Sequence, residues 1–231
     1  MIIAHASDTH DNPSIIRQFG EMEADMLVLT GDCMKTKGRI PNFAAYGSDW
    51  RISPPLEYRY QRQWWRKKAK GLIPHLKGRP ILYLRGNHDF ISPLEWLLHY
   101  GADAYEITDD KPCIELLGKR FAGFRQVLPI TGEWSGEEYD LTPFIDKAFA
   151  CDPQILLTHT PPNGILDGVR GVGEEGNRGY GSSDLTSALM FRQHNITHHL
   201  FGHSHYGCGT EEKGGIFFSN AATTIRLIEI P

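Results

Sequence analysis

The chain is predicted to adopt a layered α/β fold with mixed sheets, on three observations. Short apolar runs recur along its 231 residues, and they are continuous rather than alternating, which suits strands buried on both faces. Segments with helical spacing and start signals lie between them. Turn residues bound nearly every run, so strand and helix alternate as stacked layers require.

The first strand is expected over Ile2 to Ala6, and a helix opens near Pro13, which fits a first helical turn, with Asn12 as its cap. Met26 to Thr30 reads as the second strand and Leu56 to Ile73 as a long helix. On that helix Leu56, Tyr60 and Trp64 form one apolar stripe and Trp65, Ala69 and Leu72 another, both facing the core. Its basic residues then form the wet face. Ile81 to Leu84 is a strand and Pro93 to His99 a helix. Glu106 to Phe124 reads as two or three adjacent strands with turns at Asp109-Asp110 and Gly118-Lys119, which makes the sheets mixed. A helix over Thr142 to Phe149, a strand over Ile155 to Thr158 and a helix over Ser183 to His194 follow. The strands His199 to Phe201, Ile216 to Ser219 and Ile225 to Ile230 close the chain. Two sheets sandwiched by helices accommodate this order, in one domain spanning residues 1–231.

Two segments read as insertions: Met34 to Pro55, rich in Gly, Pro and polar residues, and Asn163 to Ser182, with seven glycines. Each follows a candidate metal ligand, so both are expected at the rim of a site.

Hydrophobic residues at 40% and charged residues at 23% exclude a disordered or fibrous chain. A net charge of -4 argues against a nucleic-acid footprint over the whole surface. The N-terminus lacks a basic region followed by a long apolar run, and no stretch reaches the ~18 apolar residues of a membrane span, so a cytoplasmic location is expected. Cys33, Cys113, Cys151 and Cys208 form no CxxC pair, and four reduced thiols are expected.

Five motifs stand in order: Asp8-Thr9-His10, Gly31-Asp32, Gly86-Asn87-His88-Asp89, Thr158-His159-Thr160 and Gly202-His203-Ser204-His205. Each falls at the C-terminal end of an expected strand, the edge of an α/β sheet where distant residues meet. Carboxylate, imidazole and amide oxygen without thiolate are the ligand types of a hard or borderline divalent cation. A D-x-H or H-x-H can aim both side chains at one ion as the chain leaves a strand, and Gly31, Gly86 and Gly202 permit the turns and close approaches this needs.

These motifs resemble those of the calcineurin-like metallophosphoesterase superfamily, which carries D-x-H, G-D, G-N-H-[DE], a single His and G-H-x-H in this order, here spanning Asp8 to His205. The resemblance implies a four-layer α/β/β/α sandwich with two mixed β-sheets holding two metal ions on the ends of its strands. It places one ion on Asp8, His10 and His205, the other on Asn87, His159 and His203, and Asp32 between both. His88 is then a catalytic residue that hydrogen-bonds a phosphate oxygen or protonates the leaving oxygen, with Asp89 orienting its ring. The implied mechanism is a two-metal hydrolysis, in which ions about 4 Å apart share a hydroxide and hold the phosphate for in-line attack. Manganese is the expected ion; iron, zinc and nickel accept the same ligands.

Departures narrow the chemistry. The superfamily's protein phosphatases read G-D-x-x-D-R-G, whereas this chain continues Cys33-Met34-Lys35-Thr36-Lys37, and Lys35 stands where purple acid phosphatases carry an iron-binding tyrosine. Thr158-His159-Thr160-Pro161-Pro162-Asn163-Gly164 resembles the T-H-x-P-P-x-G stretch of small phosphodiesterase-like members. A phosphodiester substrate is therefore preferred to a monoester, with nucleotides among the candidates. A nuclease is the alternative, because Tyr58 to Lys70 mixes six basic with four aromatic residues.

Other tempting features carry bland readings. Gly171 to Gly176 fits G-x-G-x-x-G but follows no strand, so a flexible loop is expected, with Arg170 and Arg178 solvated. Cys33 is expected as a buried small side chain, and His194, His198 and His199 as packing residues behind the ligands.

Overall fold

The computed structural model describes residues 1–41, 50–130, 133–168 and 179–231. The Gly171 to Gly176 stretch, Arg170 and Arg178 lie outside the described residues, as does the centre of the first insertion. In chain order the elements are β1 (Ile2–Ala6), α1 (Pro13–Glu21), β2 (Met26–Thr30), β3 (Arg39–Pro41), β4 (Trp50–Ile52), α2 (Pro54–Leu72), β5 (Ile81–Leu84), α3 (Leu94–His99), β6 (Ala104–Glu106), β7 (Cys113–Leu116), β8 (Lys119–Phe124), α4 (Thr142–Ala150), β9 (Ile155–Thr158), α5 (Ser183–Phe191), β10 (His198–Phe201), β11 (Gly209–Lys213), β12 (Ile216–Asn220) and β13 (Ile225–Glu229).

Two mixed sheets form four layers with the helices. The first runs β13-β1-β2-β5-β6, parallel except for β13; the second runs β11-β12-β10-β9-β8-β7, with antiparallel β11 and β7 at its edges. Strand side chains alternate between two cores. Ile3, Met26, Val28, Leu82 and Leu84 of the first sheet meet Phe121, Ile155, Leu157 and Leu200 of the second in a core between the sheets. From the opposite faces, Ala4, Ala6, Leu27, Leu29, Ile81 and Tyr83 pack under α1, α2 and α3. Ala122, Phe124, Leu156 and Phe201 likewise pack against α4 and α5. Continuous apolar runs follow directly, because each strand has apolar neighbours on both faces.

Helix starts obey local chemistry. The Asn12 side chain accepts from Ser14 N at 3.0 Å with Pro13 opening α1, and the Ser182 side chain accepts from Leu185 N to cap α5.

Beyond one-residue shifts at other element ends, four boundary or pairing expectations change. α2 begins at Pro54, and Leu56 lies exposed instead of in the core, because the buried face of the helix is set by Glu57, Gln61, Trp64 and Trp65. α5 stops at Phe191, where Arg192 turns extended, rather than at His194. β6 joins the first sheet beside β5 and is not a neighbour of β7, so only β7 and β8 form a hairpin. The turn of that hairpin is Leu117-Gly118, both left-handed, in place of Gly118-Lys119. All four cysteines are free, Cys33 buried among them. No described helix is long and apolar enough to cross a membrane.

Candidate metal centre

Strands β1, β2 and β5 of the first sheet and β9 and β10 of the second all end at one edge, and each is followed at once by one of the five motifs. The chain leaves these strands through strained turns: Asp8, His10, Asp32 and His203 all have positive φ, between 46° and 67°. Backbone bonds zip the turns together, Asp8 N to Gly31 O and His10 N to Asp32 O, each at 3.0 Å. At Gly86 a β-carbon would strike the Asp32 carboxylate, and at Gly202 it would strike Ser7 and the Asp8 carboxylate. These two glycines let the backbone approach the acids.

The side chains fall into two groups that meet at Asp32. In the first, His205 Nε2 lies 3.1 Å from Asp8 Oδ1 and 3.2 Å from His10 Nε2. In the second, Asn87 Oδ1 lies 3.1 Å from His159 Nε2 and 3.0 Å from His203 Nδ1. Asp32 Oδ2 stands 3.3 Å from His159 Nε2 and 3.7 Å from His88 Nε2. All seven expected ligands are therefore brought together, with Asp8, Asp32, Asn87 and His159 buried. Ligand atoms of Asp8, His10 and His205, and of Asp8, Asp32 and His159, lie within 4.8 Å of one another, as cation coordination requires.

The donor chemistry fits divalent cations. Two imidazole Nε2 atoms at 3.2 Å beside a carboxylate repel through their lone pairs unless a proton or a cation lies between them. His159 donates Nδ1–H to Thr30 O at 2.7 Å, which leaves Nε2 turned toward Asp32 and Asn87, the arrangement by which an outer hydrogen bond orients a ligating ring.

Charge is balanced internally. Burial works to lower His159, but the Asp32 carboxylate and its hydrogen bond raise it to about 9. Burial likewise favours the neutral forms of Asp32 and Asp8, yet the charge of His159 on Asp32 and the hydrogen bond from His205 to Asp8 hold both below the usual carboxylate range. Burial takes His203 down to about 3, helped by His159, and His88 down to about 4 against the pull of Asp32.

Among the described residues no direct hydrogen bond joins the Asp89 carboxylate to the His88 ring. That carboxylate accepts from Gly86 N at 2.9 Å, Met34 N at 3.0 Å and Cys33 N at 3.3 Å, because it lies buried beneath the loop rather than beside the ring. His88 Nδ1 instead pairs with Thr36 Oγ1, and the Trp134 ring packs on His88 at 4.4 Å between centroids. Cys33 lies buried, as expected of a small core side chain, and burial and the nearby carboxylates push its thiol far above its ordinary range.

Several residues at the site escaped the sequence reading. Thr36 and Trp134 contact His88, while Tyr180 packs against His203. With Ile130 and Tyr206, Trp134 and Tyr180 rim a cavity of about 230 Å³ over Asp32, Asn87 and His88. Gln61 of α2 grips the motif loop from below: Nε2 donates to His88 O at 2.7 Å, and Oε1 accepts from Phe90 N at 2.9 Å. The one available signal was a Glu57-Gln61 pair, spaced one turn apart on the same face as Trp64 and Trp65.

A family model described as calcineurin-like phosphoesterase matches residues 1–207. The UPF0046 protein K07C11.7 of Caenorhabditis elegans is 37% identical over 76 residues, which cover 33% of this chain and 23% of that protein. The chain thus matches about a quarter of the length of that curated relative.

Proposed function

The chain belongs to the calcineurin-like phosphoesterase family, and from that premise we propose that it hydrolyses phosphodiesters with two divalent metal ions. The observation that carries the reading is the meeting of seven ligand-type side chains from five strand ends. Asp8, His10 and His205 would hold one ion, Asn87, His159 and His203 the other, and Asp32 would serve both. Ions so held supply Lewis acidity and lower the pKa of water, and manganese suits this mixed imidazole and carboxylate set.

The chain's own groups do the positioning. Asp32 receives His88 N at 2.8 Å, which fixes the motif loop relative to the ligands. His88 faces the cavity as a neutral ring at pH 7, since burial keeps its pKa near 4, and hydrogen-bonds a phosphate oxygen. That favours phosphate ligation over the proton-donor role. Among the described residues lining the cavity none is Lys or Arg, which suits a singly charged diester better than a doubly charged monoester. Trp134, Tyr180 and Tyr206 offer flat apolar surface to an aromatic substituent such as a nucleobase.

The nuclease alternative loses part of its support on α2. Trp64 and Trp65 are buried, and Gln61 marks the side that faces the site. At ~100° per residue, Arg59, Arg66 and Lys70 lie roughly 140–180° around the helix from Gln61 and Arg62 and Lys67 roughly 100–120°, whereas Lys68 lies about 20° from it, two turns further on.

The test is hydrolysis of bis-p-nitrophenyl phosphate against p-nitrophenyl phosphate by metal-stripped protein with and without added Mn²⁺. We expect manganese-dependent turnover with the diester preferred about tenfold or more. Preference for the monoester, or full turnover without any metal, overturns the reading.

A further inference from the structure

We propose that the Thr36 hydroxyl donates to Nδ1 of His88 and so holds the ring as the Nε2–H tautomer, making Thr36 a positioning residue for phosphate binding. The inference rests on the phosphodiesterase reading above and concerns the same site.

The ring of His88 is held on several sides. Nδ1 meets Thr36 Oγ1, Trp134 packs at 4.4 Å and His10 at 4.8 Å between centroids, and Nε2 faces the cavity near Asp32 Oδ2 at 3.7 Å, beyond hydrogen-bond range. Neutral imidazole carries one proton, and the partner of one nitrogen decides which nitrogen bears it. Phosphate oxygens only accept, so a ring that binds phosphate through Nε2 needs its proton there, and Nδ1 must then accept. A carboxylate or a backbone carbonyl at Nδ1 would pull the proton to the wrong nitrogen. A hydroxyl donates to a bare Nδ1, and the β-branched threonine holds it with little rotamer freedom.

The backbone of the loop is built to place that hydroxyl. On one side of Thr36, Asp89 accepts Cys33 N and Met34 N at 3.3 and 3.0 Å. On the other, the buried Glu57 carboxylate accepts Lys37 N at 2.5 Å and also Gly38 N. Two buried acids, one from the motif loop and one from α2, thus pin the segment two residues before Thr36 and one residue after it. Thr36 itself is only 7% exposed, and its hydroxyl has His88 as its hydrogen-bond partner. The acid expected to steer His88 directly acts one step removed, through the loop that carries Thr36.

The test joins spectroscopy to kinetics. Zinc-loaded protein labelled with ¹⁵N-histidine is compared as wild type, Thr36→Val and Thr36→Ser by long-range ¹H–¹⁵N correlation, alongside steady-state diester hydrolysis. The expected result is an Nε2–H tautomer at His88 in the wild type and in Thr36→Ser. In Thr36→Val the tautomers mix and kcat falls about tenfold, with KM and metal content little changed. An Nδ1–H tautomer in the wild type overturns the inference, as does a Thr36→Val protein that keeps both tautomer and turnover. Should Thr36→Val fail to fold, the wild-type and Thr36→Ser spectra still decide. If the wild type hydrolyses no diester, the functional reading falls while the tautomer measurement judges Thr36 separately.

Discussion

Asp32 stands where the two groups of ligand-type side chains touch, and its carboxylate is buried with three histidines around it. Replacing it by Asn keeps the shape and removes the charge that would offset two bound dications. Asp32→Asn is expected to lower kcat by more than about a hundredfold and to bind fewer than two ions per chain by elemental analysis; full occupancy with normal turnover would refute the shared-ligand role. At this scale the ligand-type residues were legible because each sits in a motif directly behind a strand, where position and chemistry are local. Thr36 and Trp134 were not legible. They reach His88 from irregular segments, whose path depends on anchors such as Asp89 and Glu57 far away in the sequence.

Elements carry a second kind of specificity, and α2 illustrates it. Its Gln61 is fully buried and satisfies the backbone of the motif loop through both ends of its amide. Gln61→Leu strands Phe90 N and His88 O in the interior, at a cost of about 2–3 kcal/mol in unfolding free energy. It should also reduce turnover, since the loop that carries Asn87 and His88 loses its support; denaturation at unchanged stability would show the amide to be dispensable. Strand cores were readable because burial on both faces leaves a continuous apolar run, as in β1, β2, β5 and β9. The partner of a strand was not. β6 looked adjacent to β7 in sequence, yet it pairs with β5, because pairing is decided by tertiary packing rather than by the strand's own pattern.

In the molecule as a whole, polar groups also cross the apolar seam between the sheets. His5 of β1 meets Thr30 Oγ1 in its own sheet at 2.9 Å and Ser219 Oγ of the opposite sheet at 3.0 Å. Burial, reinforced by Arg226, drives its pKa down to about 3, and burial does the same to His199. An unfolded chain protonates these rings below about pH 6.5, whereas the folded chain resists until about pH 3. Stability present above pH 6.5 is therefore lost progressively as pH falls toward 3. The unfolding free energy measured by urea titration is expected to drop from pH 7 to pH 5, by roughly 2 kcal/mol per ring, and His5→Gln should shrink the drop; equal drops in both proteins would contradict it. The four-layer architecture was legible from the alternation of elements and from the motif resemblance, whereas this cross-sheet tie was not, since nothing local distinguishes His5 from its apolar neighbours.

Asp8, His10, Asp32 and Asn87 come from the first sheet and His159, His203 and His205 from the second, while β13, the last strand, returns to pair with the first. Severing the chain at the exposed Glu138 to Asp140 link thus yields two pieces, each with an incomplete coordination set and each needing the other to complete a sheet. Neither piece alone should turn over a chromogenic diester, whereas mixing them should restore colour. Fused to two other proteins, such halves become a sensor that reports when those proteins meet.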